Sequence, residues 1–476
     1  MASTPDNEDI TTPPATAEVT PQDEEPYSVF DNRQKALIVL LVSTAATFSG
    51  FASNIYFPAL PTIARDLDVS IELINLTVTT YLIFQALAPS LWGPISDVRG
   101  RRTAYVGTFI IFLGACIGLA LSRNYATLIV LRCLQSTGSA STIAIGSGVI
   151  GDITTRAERG GYMGIFQAGL LAPVAIGPVI GGALAGSMGW RSIFWFLTIY
   201  CGVFLVLLIL LLPETLRFYQ KTTKVQWSAT YTLPPQKRID LAGPFKILFS
   251  KLAAPFIFFL AIHYAVWQMS ITAMSSLFSE RYGLNDTQIG LTFIANGVGC
   301  IIGTLVTGKI LDSDYRRVKA SYESRMERST GSSEEAFPLE KARLRLVPVF
   351  SFIQSLSIIL FGWTINYSDK VHIAVPIVST FITGWTAIAT QSVIMTYLVD
   401  IFPDTSAAAS ASLNLARCLF AAGGTSFTMP MVNGVGVGWA FLICAVAQIL
   451  ALLGLGVQWK LASRWRDEGK QNQPEA

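Results

Sequence analysis

Charge is scarce in this chain. Lys, Arg, Asp and Glu make up 14% of its 476 residues, too few to cover a soluble globule of that size. Histidine is scarcer still, with only His263 and His372. Neither belongs to a Cys/His cluster with metal-ligand spacing or to a nucleophile, histidine and acid set, so no enzymatic chemistry, resident metal or cofactor is expected. The stretch GTLVTGKI at 303 to 310 has the spacing of a phosphate loop. It carries Ile310 where a Ser or Thr would hold magnesium, which excludes an ATP site. Nothing in the pattern suggests a nucleic-acid partner. The first 35 residues lack both the basic flank and the apolar core of a signal peptide, and their Pro, Thr, Asp and Glu content predicts a disordered tail. The six cysteines, Cys116, Cys133, Cys201, Cys300, Cys418 and Cys444, all fall inside apolar runs. Packing rather than bridging is expected of them.

What the chain has in place of charge is length of apolar sequence. Hydrophobic residues make up 51% of it and the mean hydropathy is +0.49. Runs of about 20 residues, enough to cross a bilayer of roughly 30 Å, recur almost throughout. Twelve spans are predicted, near 36–59, 73–95, 103–121, 125–150, 161–186, 191–213, 253–278, 287–311, 345–365, 371–398, 406–432 and 435–458. The cations then fix an orientation. Arg99, Arg101, Arg102, Arg156, Arg159, Lys237, Arg238, Lys246, Lys251, Arg316, Arg317, Lys319, Arg343 and Arg345 share one side, which predicts a cytoplasmic placement for that side and for both termini. The glycosylation triplets at Asn285 and Asn366 fall on the other side.

The spans divide into two sets. A six-helix half at 36–213 is followed by a polar linker at 214–252, a second half at 253–460 containing a long loop at 312–344, and a tail at 461–476. A charged motif marks both halves. GPISDVRGRR at 93 to 102 and GKILDSDYRR at 308 to 317 each follow the second span of their half, and Asp152 and Asp400 each end a fourth span. Such duplication is typical of secondary transporters, with the substrate site at mid-membrane between the halves.

At these residues the chain resembles the major facilitator superfamily. Gly93, Asp97, Gly100, Arg101 and Arg102 are similar to its loop signature, with Val98 where a basic residue is usual. LRCLQSTG resembles its fourth-span motif at Arg132, Gln135 and Gly138. GIFQAGLLAPVAIGPVIGG resembles the antiporter-associated fifth-span motif at Gly164, Gly177, Pro178, Gly181 and Gly182, with Pro173 in place of a glycine. SNIYFPALP and GWRSIFWF are similar to stretches of the fungal twelve-span drug:proton antiporter branch. The resemblance implies an all-α integral membrane fold, twelve helices in two pseudo-symmetric six-helix halves. It also implies a charge relay of Asp97, Arg101 and Asp152 that latches the halves together, with Asp97 facing the start of the eleventh span. Asp312, Arg316 and Asp400 would repeat the relay.

The residues themselves leave some alternatives open. The charged motif serves either as a latch or as a positive-inside anchor, although three arginines would suffice for an anchor without an embedded aspartate. Gly93 would admit a neighbouring helix and Gly100 a turn of positive φ. Arg132, about eight residues into its span, faces either a cavity or a packing partner, because a cation at that depth is costly. Arg417 contacts substrate or packs against a helix. His263 either titrates in the pathway or bonds to a neighbouring helix. Asn54, Tyr81, Gln85, Gln135, Gln167, Trp267, Gln268, Asn296, Trp385, Gln391 and Asn414 are candidate cavity lining. The glycines of the fifth span pack closely, and Pro173 and Pro178 suggest a moving gate.

The expected function is export of small organic molecules, drug-like compounds, organic acids or secondary metabolites, by alternating access in exchange for protons. The expected carrier is a monomer in the plasma membrane. A uniporter without proton coupling is the alternative. No Asp or Glu lies centrally in a span, which favours anionic or uncharged substrates, since a buried cation needs an anion to offset its desolvation.

Overall fold

A computed structural model describes residues 30–154, 158–215, 243–328, 343–402 and 406–471, without the side chains of 159–160, 312, 315, 323, 325–328, 406–407 and 457–471. The expected N-terminal tail, most of the linker and of the 312–344 loop, and the side chains of the C-terminal tail lie outside the described residues.

Twelve long helices follow one another: α1 Asn32–Asn54, α2 Ile71–Arg99, α3 Arg101–Ala120, α4 Tyr125–Ile153, α5 Arg159–Met188, α6 Arg191–Leu211, α7 Ala254–Tyr282, α8 Asp286–Arg328, α9 Val347–Asn366, α10 Ala374–Ile401, α11 Ser406–Val435 and α12 Val437–Gln471. Eleven of these segments are long and apolar enough to cross a membrane. The remaining one, α11, has the length, with 30 residues. Its hydropathy is diluted by Ser412, Asn414, Arg417, Thr425 and Thr428, which are buried or half-buried in the protein. With twelve successive long helices, the start of α1 and the end of α12 lie at one end of the bundle, called here the terminal end; the opposite end is the far end.

Helix boundaries follow local chemistry. Ser70 and Asn124 cap α2 and α4 by accepting the amides of Leu73 and Thr127. Asn285 and Gln288 close a reciprocal box at the start of α8. Gly100, at φ +98°, permits the reversal between α2 and α3. Three boundaries differ from expectation, one of them the end of the last span, where α12 runs on past 458 to Gln471. The first span does not run straight to residue 59: Pro58 and Pro61 break it into α1, a 3₁₀ turn at Phe57–Ala59 and a short helix at Leu60–Asp66. In the remaining case α8 runs on past Leu311 to Arg328. Apolar character stops there, but Lys, Arg, Met and Glu sustain helix in water.

The first half packs α2 on α4, α3 on α4 and α6, and α1 on α5. The second half packs α8 on α10, α7 on α11 and α9 on α10 and α12. The halves meet along two seams, α2 with α11 and α5 with α8. Outward-facing leucines, isoleucines and phenylalanines, among them Ile199, Leu210, Leu305, Phe352 and Leu453, form an apolar belt suited to lipid.

Candidate functional site

The α5/α8 seam is built from glycine. A Cβ added at Gly182, Gly290 or Gly297 would collide with the backbone of Asp286, Pro178 or Ala175 across the seam. Only hydrogen fits between such closely approaching helices. Gly181 turns instead toward the Ile55 carbonyl after α1, Gly177 makes ordinary contact with Asn54, and Pro173 lies under Gly50. Among the described residues, an added Cβ at Gly161, Gly164 or Gly308 meets nothing within 4 Å. Among the described residues the halves therefore touch through glycine at the far end of this seam, and its glycines toward the terminal end make no such contact.

Polar bonds close the far end across the halves. The Thr62 hydroxyl lies 2.8 and 2.7 Å from the two oxygens of Asp286. Ser275 donates to the Phe57 carbonyl at 2.6 Å, Thr287 to the Gly182 carbonyl at 3.2 Å, and Asn433 to Glu72 at 2.8 Å. Phe57 stacks on Phe293.

Two arginines lie deeper. In the first half, Arg132 is 1% exposed. It donates to the Ala52 carbonyl at 3.1 Å and to Gln135 Oε1 at 2.6 Å, with its guanidinium 4.3 and 4.4 Å from the ring centres of Tyr56 and Tyr81. Gln135 also reaches Cys116. In the second half, half-buried Arg417 donates to Asn414 Oδ1 at 2.9 Å and to Gln391 Oε1 at 3.2 Å, with Tyr264 4.8 Å away. Asn414 in turn reaches the Gln85 carbonyl across the α2/α11 seam at 3.4 Å, and Thr79 meets Thr425 at 3.1 Å. The structure thus brings Arg417, Asn414 and Gln85 to the junction of the halves, and holds Arg132 with Gln135 inside the first. Trp267 donates to Asn296 at 3.0 Å, while Asn54 bonds only one turn back, to the Gly50 carbonyl. His263 is fully buried between the Phe259 carbonyl and Ser351 of α9, at 3.0 and 2.7 Å. The Ser351 bond ties α7 to the neighbouring helix α9.

At the terminal end, Arg101 bonds Asp97 at 2.6 Å, Asp152 at 2.9 Å and Ser96 at 2.6 Å. Asp97, Arg101, Arg102 and Asp152 all belong to the first half, and the network binds α2, α3 and α4 to one another. The part of the relay in which Asp97 faces the start of α11 touches residues 403–407, outside the description. Glu214, which lies outside the motif, accepts the backbone amides of Arg101 at 2.8 Å and Arg102 at 3.2 Å. A carboxylate three residues past α6 thereby caps the positive end of α3. A side chain at Gly100 would strike it. The close approach expected at Gly93 falls at Gly148, where an added Cβ would lie 2.6 Å from the Arg101 guanidinium; at Gly93 the nearest atom is 4.0 Å away.

In the second half the register shifts. Asp400 at the end of α10 accepts from Arg343 Nε at 2.8 Å, as Asp152 at the end of α4 accepts from Arg101 Nε at 2.9 Å. Arg343, just before α9, therefore stands where Arg101 stands before the body of α3. Arg316, which the sequence register put in that place, lies on the helical extension of α8 and is exposed. The side chain of Asp312 lies outside the described residues.

The Major Facilitator Superfamily pattern matches residues 42–425. The chain belongs to the major facilitator superfamily. As a superfamily member it is a multi-pass membrane transporter and not an enzyme. It is similar to Citrate exporter 1 of Aspergillus niger, 37% identical over 479 residues that cover 95% of this chain and 91% of that protein. It is also similar to the MFS antiporter QDR2 of Candida albicans, 35% identical over 454 residues, 91% and 90% of the two chains. A solved D-xylose-proton symporter shares the superfamily fold with TM-score 0.66 at 16% identity, covering 88% of this chain and 96% of that one. The human organic anion transporter MFSD10 gives 0.58 at 15%, over 88% and 99%.

Proposed function

We propose that this transporter exports small organic molecules, anionic or uncharged, by alternating access in exchange for protons. It loads from the terminal end and releases at the far end. The terminal end faces the cytoplasm, the membrane is the plasma membrane, and the working unit is the monomer. The observation that carries the substrate class is the central charge. Among the described residues Arg132 and Arg417 have amides, a backbone carbonyl and tyrosine rings for partners, and no carboxylate. A desolvated guanidinium without a carboxylate retains attraction for a ligand oxygen. The likeness to a citrate exporter and to a fungal antiporter supports the direction and the substrate range.

The second reading, a uniporter, is favoured by the environment of His263, whose two ring nitrogens are both engaged away from the seams. Purified protein in liposomes with an imposed pH gradient separates the readings. Accumulation of a tricarboxylate or of an uncharged compound against its own gradient is expected only while the pH gradient lasts. Equal rates without the gradient would establish the uniporter, and preference for a permanently cationic dye would overturn the substrate class.

A further inference from the structure

The exchange reading needs a group that feels protons, and no span carries a central carboxylate. The halves are nevertheless joined across the far end at a carboxylate. Asp286 opens α8, is 8% exposed, and has its backbone oxygen against Gly182 of α5, where an added Cβ would collide with it. Both carboxylate oxygens face one hydroxyl, that of Thr62, on the short helix that follows α1. Arg65 stands behind that hydroxyl and donates to it at 3.2 Å, so the guanidinium reaches Asp286 through Thr62. The other elements bring little charge to this point. The facing stretch of α5, 179–187, holds no titratable residue, the first turn of α8 adds Thr287 and Gln288, and Glu280 and Arg281 at the end of α7 are exposed, with Tyr282 beside them. Asp66 on the same short helix is occupied by Trp190 and Arg191.

We propose that the Thr62–Asp286 crossing is a proton-responsive gate, in which protonation of Asp286 from the far side favours closure of that end and returns the carrier to its terminal-open state. The inference rests on the exchange reading above. Burying a carboxylate with a single neutral direct partner costs more than burying the neutral acid, and the acid keeps a hydrogen bond to Thr62. The open gate lets water hydrate the charge. The sign follows: the ionised form favours the open far end, the protonated form the shut one. Acid outside therefore resets the carrier, which is the direction that proton-for-substrate exchange requires.

Spin labels on cysteines replacing exposed Ser187 of the first half and exposed Glu280 of the second report the far-end separation in the full-length protein. Of the six native cysteines only Cys133 is even partly accessible. In the parent protein the long-distance population should grow as pH is raised and shrink as it is lowered. In Asp286→Asn, which mimics the protonated acid, the short distance should persist and the pH response should be lost. Asp286→Glu, still titratable, should keep it. A pH response retained in Asp286→Asn, or absent from the parent, would overturn the gate. Transport that ignores a pH gradient while the distance response to pH persists would instead overturn the exchange reading and leave the gate standing.

Discussion

At the scale of single residues, burial decides which charges matter. Arg132 is sealed between two tyrosine rings and spends one nitrogen on two acceptors, Ala52 and Gln135. A lysine there would keep the charge and lose the planar fork, so Arg132→Lys is expected to weaken apparent substrate affinity about ten- to a hundred-fold, from roughly 1.5–3 kcal/mol per charged hydrogen bond. Michaelis constants measured beside protein yield test this; unchanged affinity with reduced yield would make Arg132 a packing residue only. Within the terminal-end network, the side chain of Asp152 is 20% exposed and that of Asp97 60%. Asp152→Asn should therefore lower thermal stability by about 1–3 kcal/mol, and Asp97→Asn by less, because water already screens the second pair. Equal melting temperatures for the two variants would contradict that ordering. The Arg101, Asp97 and Asp152 set could be named from the sequence because its motif resembles that of the superfamily. No comparable signal marks Glu214, because the partner it caps is a pair of backbone amides more than a hundred residues away in the chain.

At the scale of elements, hydropathy located all twelve long helices and misjudged where three of them end. A bilayer-length window sees apolar surface, whereas the end of α8 is set by helix propensity in water and the break after α1 by Pro58 and Pro61. The same limit kept Arg343 out of the expected second relay. A register count assumes that the loop begins where the motif does; here the helix carries Arg316 onward and the chain returns at Arg343 to reach Asp400. Arg343→Ala is thus expected to mimic Asp400→Asn in transport rate, with no further loss in the double variant, since neighbours that share one bond are not additive. Additive losses would separate the two residues. The fifth-span glycines were recognisable as a group, but which helix each one faces depends on tertiary contact alone.

At the scale of the whole molecule, two seams and one closed end make a carrier shut at its far side. If the terminal side faces the cytoplasm, cysteines introduced at Ser228 and Ser332, in the two long polar segments, should react with an impermeant reagent only after cells are permeabilised. Reaction in intact cells would invert the topology. The glycine contact at the far end of α5 and α8 then acquires a mechanical meaning. It is the short arm of a lever: from Gly182 to Gly164 the helix extends roughly 27 Å, so a tilt of about 10° at the contact displaces the other end by about 5 Å, close to the width of a side chain. A bulky residue at Gly164, where there is open space now, would be a wedge beneath the long arm, harmless in this state and obstructive in the opposite one. Gly164→Leu should accordingly fold and bind substrate from the terminal side yet turn over slowly, while Gly182→Leu, which pries at the fulcrum itself, should destabilise the closed far end.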